Sequence, residues 1–300
     1  MNSRDPRIWV NGDYIPESRP VLSGTIRGLN YGAGCFETLR VDQGQTANLE
    51  EHIRRLHSGL SWLGVGSDHH PSPDMVREVI NELLESNRLT DRTAVIRIQA
   101  SLSGGRGYGS GEEGPPMLII TAAPYTVQSK EYRLKRVQTS VVPAECRPAD
   151  LKLSNTLHFL KAWREAESAG ADDALMVTID GHLAETAVAN LFWKSGDRIF
   201  TPSRACDILP GIVRNQVIGL IERHSDYTIE EGEWTPDALE QADLVWVTNS
   251  LKRIQPVTAV DERRYPADHP LYHYLDQALV QTYTGSGSSN DQGNTKQNRA

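Results

Sequence analysis

Lys152 and Glu185 are two residues whose types and positions could support one chemistry together. A lysine in a partly apolar pocket can lose its proton and form an imine with an aldehyde cofactor. A carboxylate held nearby can keep a pyridine nitrogen protonated, so that the cofactor acts as an electron sink. The pair therefore indicates a site for an aldehyde cofactor that contains a pyridine ring.

Each of the two residues also has an ordinary structural interpretation. Lys152 lies between Leu151 and Leu153, and a lysine in that setting is typical of an exposed edge strand, because lysine is almost never fully buried without a reason. Glu185 could equally face solvent on a strand. If residues 151–153 are extended, alternation sends both leucines to one face and the lysine to the other.

A phosphate group on such a cofactor would need hydrogen-bond donors, and three segments offer them. Arg55 lies on a predicted helix, and an arginine can give a phosphate two parallel N–H bonds. Gly211 precedes a predicted helix that begins near Ile212 and Val213, where free backbone N–H groups can meet an anion. The run Thr248-Asn249-Ser250 follows a predicted buried strand and offers hydroxyl and amide donors. Each pattern alone is also typical of a structural turn or a solvated helix face.

Three further residues are candidates for contact with a substrate. Arg106 lies in the glycine-rich stretch 103–109, which could wrap around a ligand and hold a carboxylate, or could be a flexible exposed loop. Tyr31 and Phe36 lie in an earlier glycine-containing stretch and could line a pocket. We therefore predict Tyr31, Phe36 and Arg106 as substrate-binding residues.

Composition restricts the class of protein. The chain has 300 residues, 38% hydrophobic and 23% charged, with a net charge of −8, which is typical of a globular protein and gives no basic face for nucleic acid. The sequence contains no apolar run near the roughly 18 residues of a membrane span and no apolar N-terminal stretch like that of a signal peptide. Three widely spaced cysteines, Cys35, Cys146 and Cys206, fit a reducing cytosol better than a disulfide framework or a zinc site. We therefore expect a cytoplasmic protein.

Several common site motifs are missing from the sequence. The first glycine-rich stretch lacks the Gly-Lys-Ser/Thr ending of a nucleotide-binding loop. The histidines show no H-E-x-x-H spacing, so we predict no metal site. The sequence has no G-x-S-x-G elbow, which weakens a hydrolase interpretation.

Hydrophobic periodicity predicts an α+β protein of two subdomains. Apolar residues at spacings of three and four predict helices near 49–63, 76–84 and 156–169. Strand-like runs lie between and after them, and Asn11-Gly12 predicts a two-residue hairpin turn. We predict a small N-terminal subdomain at 1–121, a linker at 122–131, a larger C-terminal subdomain at 132–283 and a disordered tail at 284–300.

Six motifs follow one another along the chain: Arg27-Gly28-Leu29-Asn30-Tyr31-Gly32, Glu51-His52-Ile53-x-Arg55-Leu56, Lys152-x-x-Asn155, Leu183-Ala184-Glu185 with Asn190-Leu191-Phe192, Leu209-Pro210-Gly211-Ile212-x-Arg214, and Thr248-Asn249-Ser250 with Pro256-Val257. Their order resembles that of the class-IV aminotransferase family, the fold-type IV pyridoxal-phosphate enzymes. The resemblance covers roughly residues 7–260.

The resemblance implies a cofactor, a set of roles and an assembly. The cofactor is pyridoxal 5′-phosphate (PLP), Lys152 is the Schiff-base lysine and proton shuttle, and Glu185 pairs with the pyridine nitrogen. The residues implied to hold the phosphate are Arg55, Ile212, Val213, Asn249 and Ser250. The family is dimeric, so the resemblance also implies a homodimer with the active site at the domain boundary near the subunit interface.

The subfamily is a separate question. The family contains branched-chain aminotransferases, D-amino-acid aminotransferases and 4-amino-4-deoxychorismate lyases. Lys152-x-x-Asn155 is similar to the lyase and D-amino-acid groups, and the run Ser103-Gly104-Gly105-Arg106-Gly107-Tyr108 is most similar to the lyases. Leu153 and Thr156 depart from the K-H-L-N-R of many lyases. The resemblance thus implies a lyase of folate biosynthesis that releases pyruvate and 4-aminobenzoate, with an amino-acid transaminase or a non-catalytic relative of the same fold as alternatives.

Overall fold

The computed structural model describes residues 5–19, 22–104, 114–126, 131–224 and 226–284. Arg106 and residues 285–300 lie outside the described residues. The helices are α1 (Arg27–Tyr31), α2 (Leu49–Trp62), α3 (Pro73–Ser86), α4 (Leu157–Ser168), α5 (Ile212–His224) and α6 (Pro270–Thr284). The strands are β1 (Arg7–Val10), β2 (Asp13–Pro16), β3 (Gly34–Asp42), β4 (Gln45–Thr46), β5 (Ala94–Ser101), β6 (Met117–Pro124), β7 (Arg133–Arg136), β8 (Asp173–Val177), β9 (Leu183–Thr186), β10 (Asn190–Ser195), β11 (Arg198–Pro202), β12 (Thr228–Gly232), β13 (Leu244–Asn249), β14 (Arg253–Pro256), β15 (Ala259–Val260) and β16 (Arg263–Arg264).

An antiparallel sheet occupies the first half of the chain, in the order β2-β1-β6-β5-β3-β4. Its first hairpin is the predicted one, because Asn11 and Gly12 both have positive φ, 47° and 107°, as a tight two-residue turn requires. The helices α2 and α3 cover one face of this sheet. Helix α2 buries the predicted apolar residues Leu49, Ile53, Leu56 and Leu60. It also carries Arg55, which lines the site described below.

A second group of strands occupies the second half of the chain. Strand β10 is central, because it pairs with β9, β11 and β13. Helices α5 and α6 pack against each other and form one core cluster with β10 and β13. The pairing of β9 with β10 sets Glu185 directly opposite Asn190. These mixed helices and sheets confirm the predicted α+β class.

The segment 152–154 joins the two halves. The N–H of Phe36 donates to the carbonyl of Lys152 at 3.0 Å, and the N–H of Ser154 donates to the carbonyl of Gly34 at 2.8 Å. Leu151 and Leu153 lie in the hydrophobic core of the first sheet. A short piece of the second half is therefore held against β3, and this places Lys152 at the junction.

The structure differs from the predicted boundaries at two places. Strand β6 continues to Pro124, three residues into the predicted linker 122–131, because pairing with β5 uses main-chain groups and needs no apolar side chains. Helix α6 has no counterpart in the predicted helices, and it includes Thr284, the first residue of the predicted tail. The buried residues Leu271, Leu275 and Leu279 recur every four positions and could have indicated this helix. The division into two subdomains stays a prediction.

Candidate active site

A cavity of about 600 Å³ lies at the junction of the two halves. Its wall is built by β3 and β5, the segment around Lys152, β9, the start of α5 and the turn after β13. Eight of the ten predicted site residues line it: Phe36, Arg55, Lys152, Glu185, Ile212, Val213, Asn249 and Ser250. Tyr31 does not line this cavity; it is 40% exposed on α1. Arg106 lies outside the described residues.

Lys152 faces the cavity from the segment held against β3. Leu151 and Leu153 point into the core, so the predicted alternation is confirmed. The Nζ atom lies 4.7 Å from the centroid of the Phe36 ring. Burial lowers the pKa of Lys152 to about 8, and the charge of Arg55 acts in the same direction, against the carboxylates of Glu37 and Glu185. A minor but appreciable fraction of this amine is therefore neutral near physiological pH, far more than for an exposed lysine, and the neutral form is the one that acts as a nucleophile or a base.

Glu185 faces the same cavity from β9 and is almost fully buried. Its Oε2 accepts hydrogen bonds from Nδ2 of Asn190 at 3.1 Å and from the N–H of Leu209 at 3.2 Å. Burial raises the pKa of Glu185 to about 8, although the Leu209 N–H and the charge of Lys152 oppose the shift. A cation that entered the cavity beside this carboxyl would favour its ionised form.

Gly211 is required by the packing around Glu185. A Cβ atom at this position would overlap Oδ1 of Asn190. The amide of Asn190 cannot move away freely, because its Nδ2 also donates to the carbonyl of Leu209 at 2.7 Å. Glycine therefore lets the start of α5 approach the β9–β10 pair closely.

Arg55 reaches the cavity from α2 and is held by Glu37 of β3. Its Nε and Nη2 donate to the two oxygens of Glu37, each at 2.7 Å. Nδ1 of His52 lies 2.6 Å from Oε2 of the same carboxylate, which is completely buried. Burial alone would raise the pKa of Glu37, but hydrogen bonds and charges from Arg55 and His52 lower it to about 2. Nε and Nη2 of Arg55 are thus bound to Glu37. The remaining N–H groups of the guanidinium are those that a ligand could use.

Other donors line the same cavity as Arg55. Ile212 and Val213 begin α5, whose first N–H groups have no partner within the helix. Ser250 also lines the cavity, and its Oγ lies 3.3 Å from Nε2 of His52. The Oγ1 atom of Thr248 is buried and has no hydrogen-bond partner within the described part of the chain, which is unusual for a buried hydroxyl. This set of donors is suited to an anion.

Asn249 has a different local role from its neighbours. Its Oδ1 accepts the N–H groups of Leu251 and Lys252, at 3.0 Å and 2.8 Å, and its Nδ2 donates to the carbonyl of Val188 at 3.1 Å. The side chain thereby holds the turn that presents Ser250 to the cavity. Its assignment as a cofactor-binding residue stays a prediction.

Sequence reasoning missed two cations and a hydroxyl in this cavity. Arg97 and Thr38 are paired in register on β5 and β3, so their side chains share the face that carries Phe36. The guanidinium of Arg97 lies 4.0 Å from the Phe36 ring centroid. Arg147 is buried, and its Nε donates to Oδ1 of Asn155 at 3.0 Å. The alternation of Phe36, Glu37 and Thr38 along β3 could have indicated which of them share a face.

The arrangement combines a proton-transferring amine, a buried carboxyl and a cluster of anion donors in one cavity. Lys152 can act as a nucleophile or as a base, and Glu185 can hold a cationic ring nitrogen. The end near Arg55 can hold an anionic group. Among the described residues, no group of three or more His, Cys, Asp and Glu side chains is arranged to bind a metal ion.

Comparison with known proteins identifies relatives over most of the chain. Residues 34–260 match the sequence profile of the family described as amino-transferase class IV. The chain is 29% identical to the aminodeoxychorismate lyase of Vibrio harveyi over 88% of this chain and 95% of that protein. It is 31% identical to the aminodeoxychorismate lyase of Bacillus subtilis, over 86% of this chain and 88% of that protein.

Solved structures share the fold. The branched-chain amino acid aminotransferase from Escherichia coli superposes with a TM-score of 0.85 and 23% identity, over 96% of this chain and 98% of that one. Aminotransferases of D-alanine and of branched-chain amino acids are also similar in sequence. In the described part of the chain, we find no helix with the length and apolar character that crossing a membrane requires.

Proposed function

The chain belongs to the class IV aminotransferase family, whose members are PLP-dependent lyases and aminotransferases, and we propose that it is itself a PLP enzyme, a 4-amino-4-deoxychorismate lyase. The observation that carries the cofactor proposal is the presence of Lys152 and Glu185 in one cavity with a separate cluster of anion donors. The lyase assignment is supported by the two lyase relatives and by the charges of Arg97 and Arg147, which line the cavity.

The residues present fit PLP. The cofactor's phosphate needs donors only, and the buried hydroxyl of Thr248, without a partner in the described residues, is suited to it. Arg55, the N–H groups of Ile212 and Val213, and Ser250 would complete the phosphate site. Glu185 would pair with the pyridine nitrogen, and Lys152 would hold the aldehyde carbon covalently through Nζ.

PLP and the residues of the protein would have different roles in the reaction. When bound, PLP supplies an electron sink for the electron pair that remains when the carbon bearing the substrate's amino group loses its proton. Lys152, displaced by the amine of the substrate and neutral, would take that proton on Nζ and later return it. Glu185 would keep the ring nitrogen protonated, because the positive ring favours the ionised carboxylate. The walls of the cavity would exclude bulk water from the reacting carbon.

The charges in the cavity favour the lyase over an apolar amino-acid substrate. The lyase substrate carries two carboxylates, one on its ring and one on its enolpyruvyl group. Besides Arg55, the guanidinium groups of Arg97 and Arg147 also line the cavity, and arginine binds carboxylates with paired N–H groups. Release of pyruvate then leaves 4-aminobenzoate.

A transaminase is the second candidate, and it too has an observation in its favour. The same cavity is lined by Phe159, Leu160 and Trp163, whose apolar surfaces could hold the side chain of a branched-chain or D-amino acid. Lyase and transaminase would share every cofactor contact and would differ in substrate fit and in where Lys152 returns the proton.

One pair of assays separates the two candidates. Purified protein is given aminodeoxychorismate, and 4-aminobenzoate and pyruvate are measured; in parallel it is given branched-chain or D-amino acids with 2-oxoglutarate. We expect 4-aminobenzoate formation to exceed transamination. Substantial transamination without 4-aminobenzoate would replace the lyase by the transaminase.

Cofactor binding needs a separate test. The same test addresses the alternative that this protein is a non-catalytic relative with the same fold. The purified protein should be yellow, and borohydride should fix the cofactor to the chain. Lys152→Ala should abolish the fixed adduct, whereas Lys161→Ala, on the exposed surface of α4, should not. Protein that takes up no PLP would contradict the enzyme proposal altogether.

We also propose that the protein is a homodimer. Leu29 on α1 and Leu157 on α4 are 63% and 79% exposed, and Gly32, just after α1, lies close to Asn155, just before α4. A second copy covering this apolar surface, which adjoins the cavity through Leu160, would remove it from water. Light scattering should give twice the mass of one chain, and Leu157→Glu should shift the measured mass toward that of the monomer.

A cytoplasmic location stays a prediction from the cysteine pattern.

A further inference from the structure

Ser250, His52 and Glu37 form a continuous chain of hydrogen bonds from the cavity to the interior. Oγ of Ser250 lies 3.3 Å from Nε2 of His52, and Nδ1 of the same ring lies 2.6 Å from Oε2 of Glu37. His52 and Glu37 are fully buried, so a mismatch between donors and acceptors along this chain would carry a cost. These hydrogen bonds therefore restrict which atoms of Ser250, His52 and Glu37 can carry a proton.

The proton positions in the absence of a ligand follow from Glu37. Its pKa is lowered to about 2, against the effect of burial, by Arg55 and His52, so the carboxylate is ionised and can only accept. Nδ1 of His52 must then donate to it. Burial lowers the pKa of His52, although Glu37 opposes this, so the ring is neutral and Nε2 is an acceptor. Ser250 consequently gives its only proton to Nε2.

A phosphate dianion in the cavity changes this arrangement. Its oxygens only accept, so Ser250 must turn its proton toward the ligand in order to bind it. Nε2 of a neutral His52 would then face the lone pairs of Oγ without a hydrogen between them, and a buried acceptor without a donor costs about 1–3 kcal/mol. A proton on Nε2 removes the conflict, because the ring then donates to Glu37 and to Ser250 while Ser250 donates to the phosphate.

We propose that His52 takes up a proton from solvent when a phosphate dianion binds beside Ser250, and so acts as a positioning residue that makes Ser250 a donor. The inference rests on the proposed function, because it assumes the phosphate site described there. It adds that occupation of this site is linked to one proton, which forms an N–H bond on Nε2 and breaks no bond of the ligand.

The charged groups that face His52 make such a link possible. Glu37 on β3 favours the cation, whereas Arg55 on α2 and Lys152 in the segment beside β3 oppose it. Arg55 is itself balanced by the two-point contact with Glu37. The ligand adds a second counter-charge, which shifts the balance at His52 toward the imidazolium form.

The experiment is calorimetry of the full-length apoprotein with pyridoxamine 5′-phosphate, which carries the phosphate but no aldehyde. Titration near pH 7.5, where a phosphate monoester is mostly a dianion because its second pKa is about 6, is repeated in two buffers of different ionisation enthalpy. The difference gives the protons taken up per ligand bound. We expect the wild-type protein to take up close to one proton more than Ser250→Ala or His52→Asn, whose asparagine keeps an N–H donor for Glu37.

The variants and a second ligand make the outcomes distinct. Lys152 and Glu185 are present in all three proteins, and their contributions cancel best between the wild type and Ser250→Ala, which removes no titratable group. Pyridoxamine without phosphate should show no uptake that depends on His52. Ser250→Ala removes only one hydroxyl that lines the cavity, so it tests the link even where His52→Asn does not fold. Equal proton uptake in the wild type and in Ser250→Ala overturns the inference but not the proposed function. Failure of the wild type to bind pyridoxamine 5′-phosphate overturns both the inference and the proposed cofactor site.

Discussion

Arg55 donates two N–H groups to the buried carboxylate of Glu37, at 2.7 Å for each N···O pair. The contact joins α2 to β3 and fixes the guanidinium in place at the edge of the cavity. Because the protein supplies this contact, Arg55 is oriented before any ligand arrives, and little conformational entropy remains to be lost on binding. Glu37 thus links the stability of the first half of the chain to the geometry of the anion site.

Glu37→Gln should destabilise the protein strongly. The change leaves Arg55 and His52 beside a neutral amide, and breaking a buried ion pair costs about 3–5 kcal/mol. The free energy of unfolding from urea titration at pH 7 should fall by that order. Glu50→Gln is the matched control, because it breaks the exposed pair with Arg77, of which both side chains are more than 40% exposed, and should change stability by less than about 1 kcal/mol.

The same variant has a defined pH dependence. The pKa of Glu37 falls from 4.5 to about 2 on folding, so its stabilising effect is complete above about pH 4.5 and is lost as the pH falls toward 2. The difference between the wild type and Glu37→Gln should therefore shrink over that range. A difference that stays constant down to pH 2 would contradict the assigned ionisation of Glu37.

Gly211→Ala should disturb the site through Asn190. The new methyl group would overlap Oδ1 of Asn190, whose amide donates to Glu185, and overpacking of this kind costs about 1–3 kcal/mol. We expect a lower melting temperature together with weaker PLP binding. Gly219→Ala, on the same helix, meets only the side chain of Arg223 and should be neutral or stabilising by up to about 1 kcal/mol. Equal effects of the two changes would contradict the role given to Gly211.

The sequence predicts the position of Lys152 better than its surroundings. Alternation of Leu151, Lys152 and Leu153 is a local rule, and the structure confirms that the leucines enter the core. Their partner strand could not be predicted, because the contact of residues 152–154 with β3 spans more than a hundred residues. Gly211, before α5, and Asn190, on β10, likewise give no local signal that their atoms meet.

Glu37 and His52 show why the rest of the site was not predictable. A glutamate on a strand and a histidine on a helix are each typical of exposed positions. They are buried because β3 and α2 pack face to face and each supplies the partner that the other needs. Arg97 was missed for a related reason, since its side chain becomes part of a site only when β5 lies beside β3.

Glu185→Gln should make the apoprotein more stable at neutral pH. Burial raises the pKa of Glu185 from 4.5 to about 8, so its contribution to stability is complete below about pH 4.5 and is lost as the pH rises to 8. Glutamine keeps an acceptor for Leu209 and Asn190 but carries no charge to bury. Urea titrations of the two apoproteins should diverge between pH 5 and pH 8, by an amount on the order of a few kcal/mol.

The same substitution should have the opposite effect once PLP is present. A neutral amide cannot balance a protonated pyridine nitrogen, so the variant should bind PLP more weakly and turn over substrate more slowly. Stability curves that run parallel from pH 5 to pH 8 would contradict the buried, protonated state of the apoprotein carboxyl. Unchanged turnover would contradict the proposed pairing with the ring nitrogen.

Arg97→Gln should impair recognition of a substrate with two carboxylates and leave the cofactor in place. Arg97 lines the cavity, and its guanidinium lies 4.0 Å from the centroid of the Phe36 ring. The Nζ atom of Lys152 lies 4.7 Å from the same centroid, so a carboxylate bound to Arg97 would lie near the reacting amine. A charge-assisted hydrogen bond contributes about 1.5–3 kcal/mol, which corresponds to a loss of about 10-fold to 100-fold in kcat/KM. Arg54 is an exposed arginine on α2, so Arg54→Gln is the control and should change neither kcat/KM nor the affinity for PLP. PLP affinity, measured by absorbance, should stay the same in both variants, and a fall in PLP affinity for Arg97→Gln would assign this residue to the cofactor rather than to the substrate.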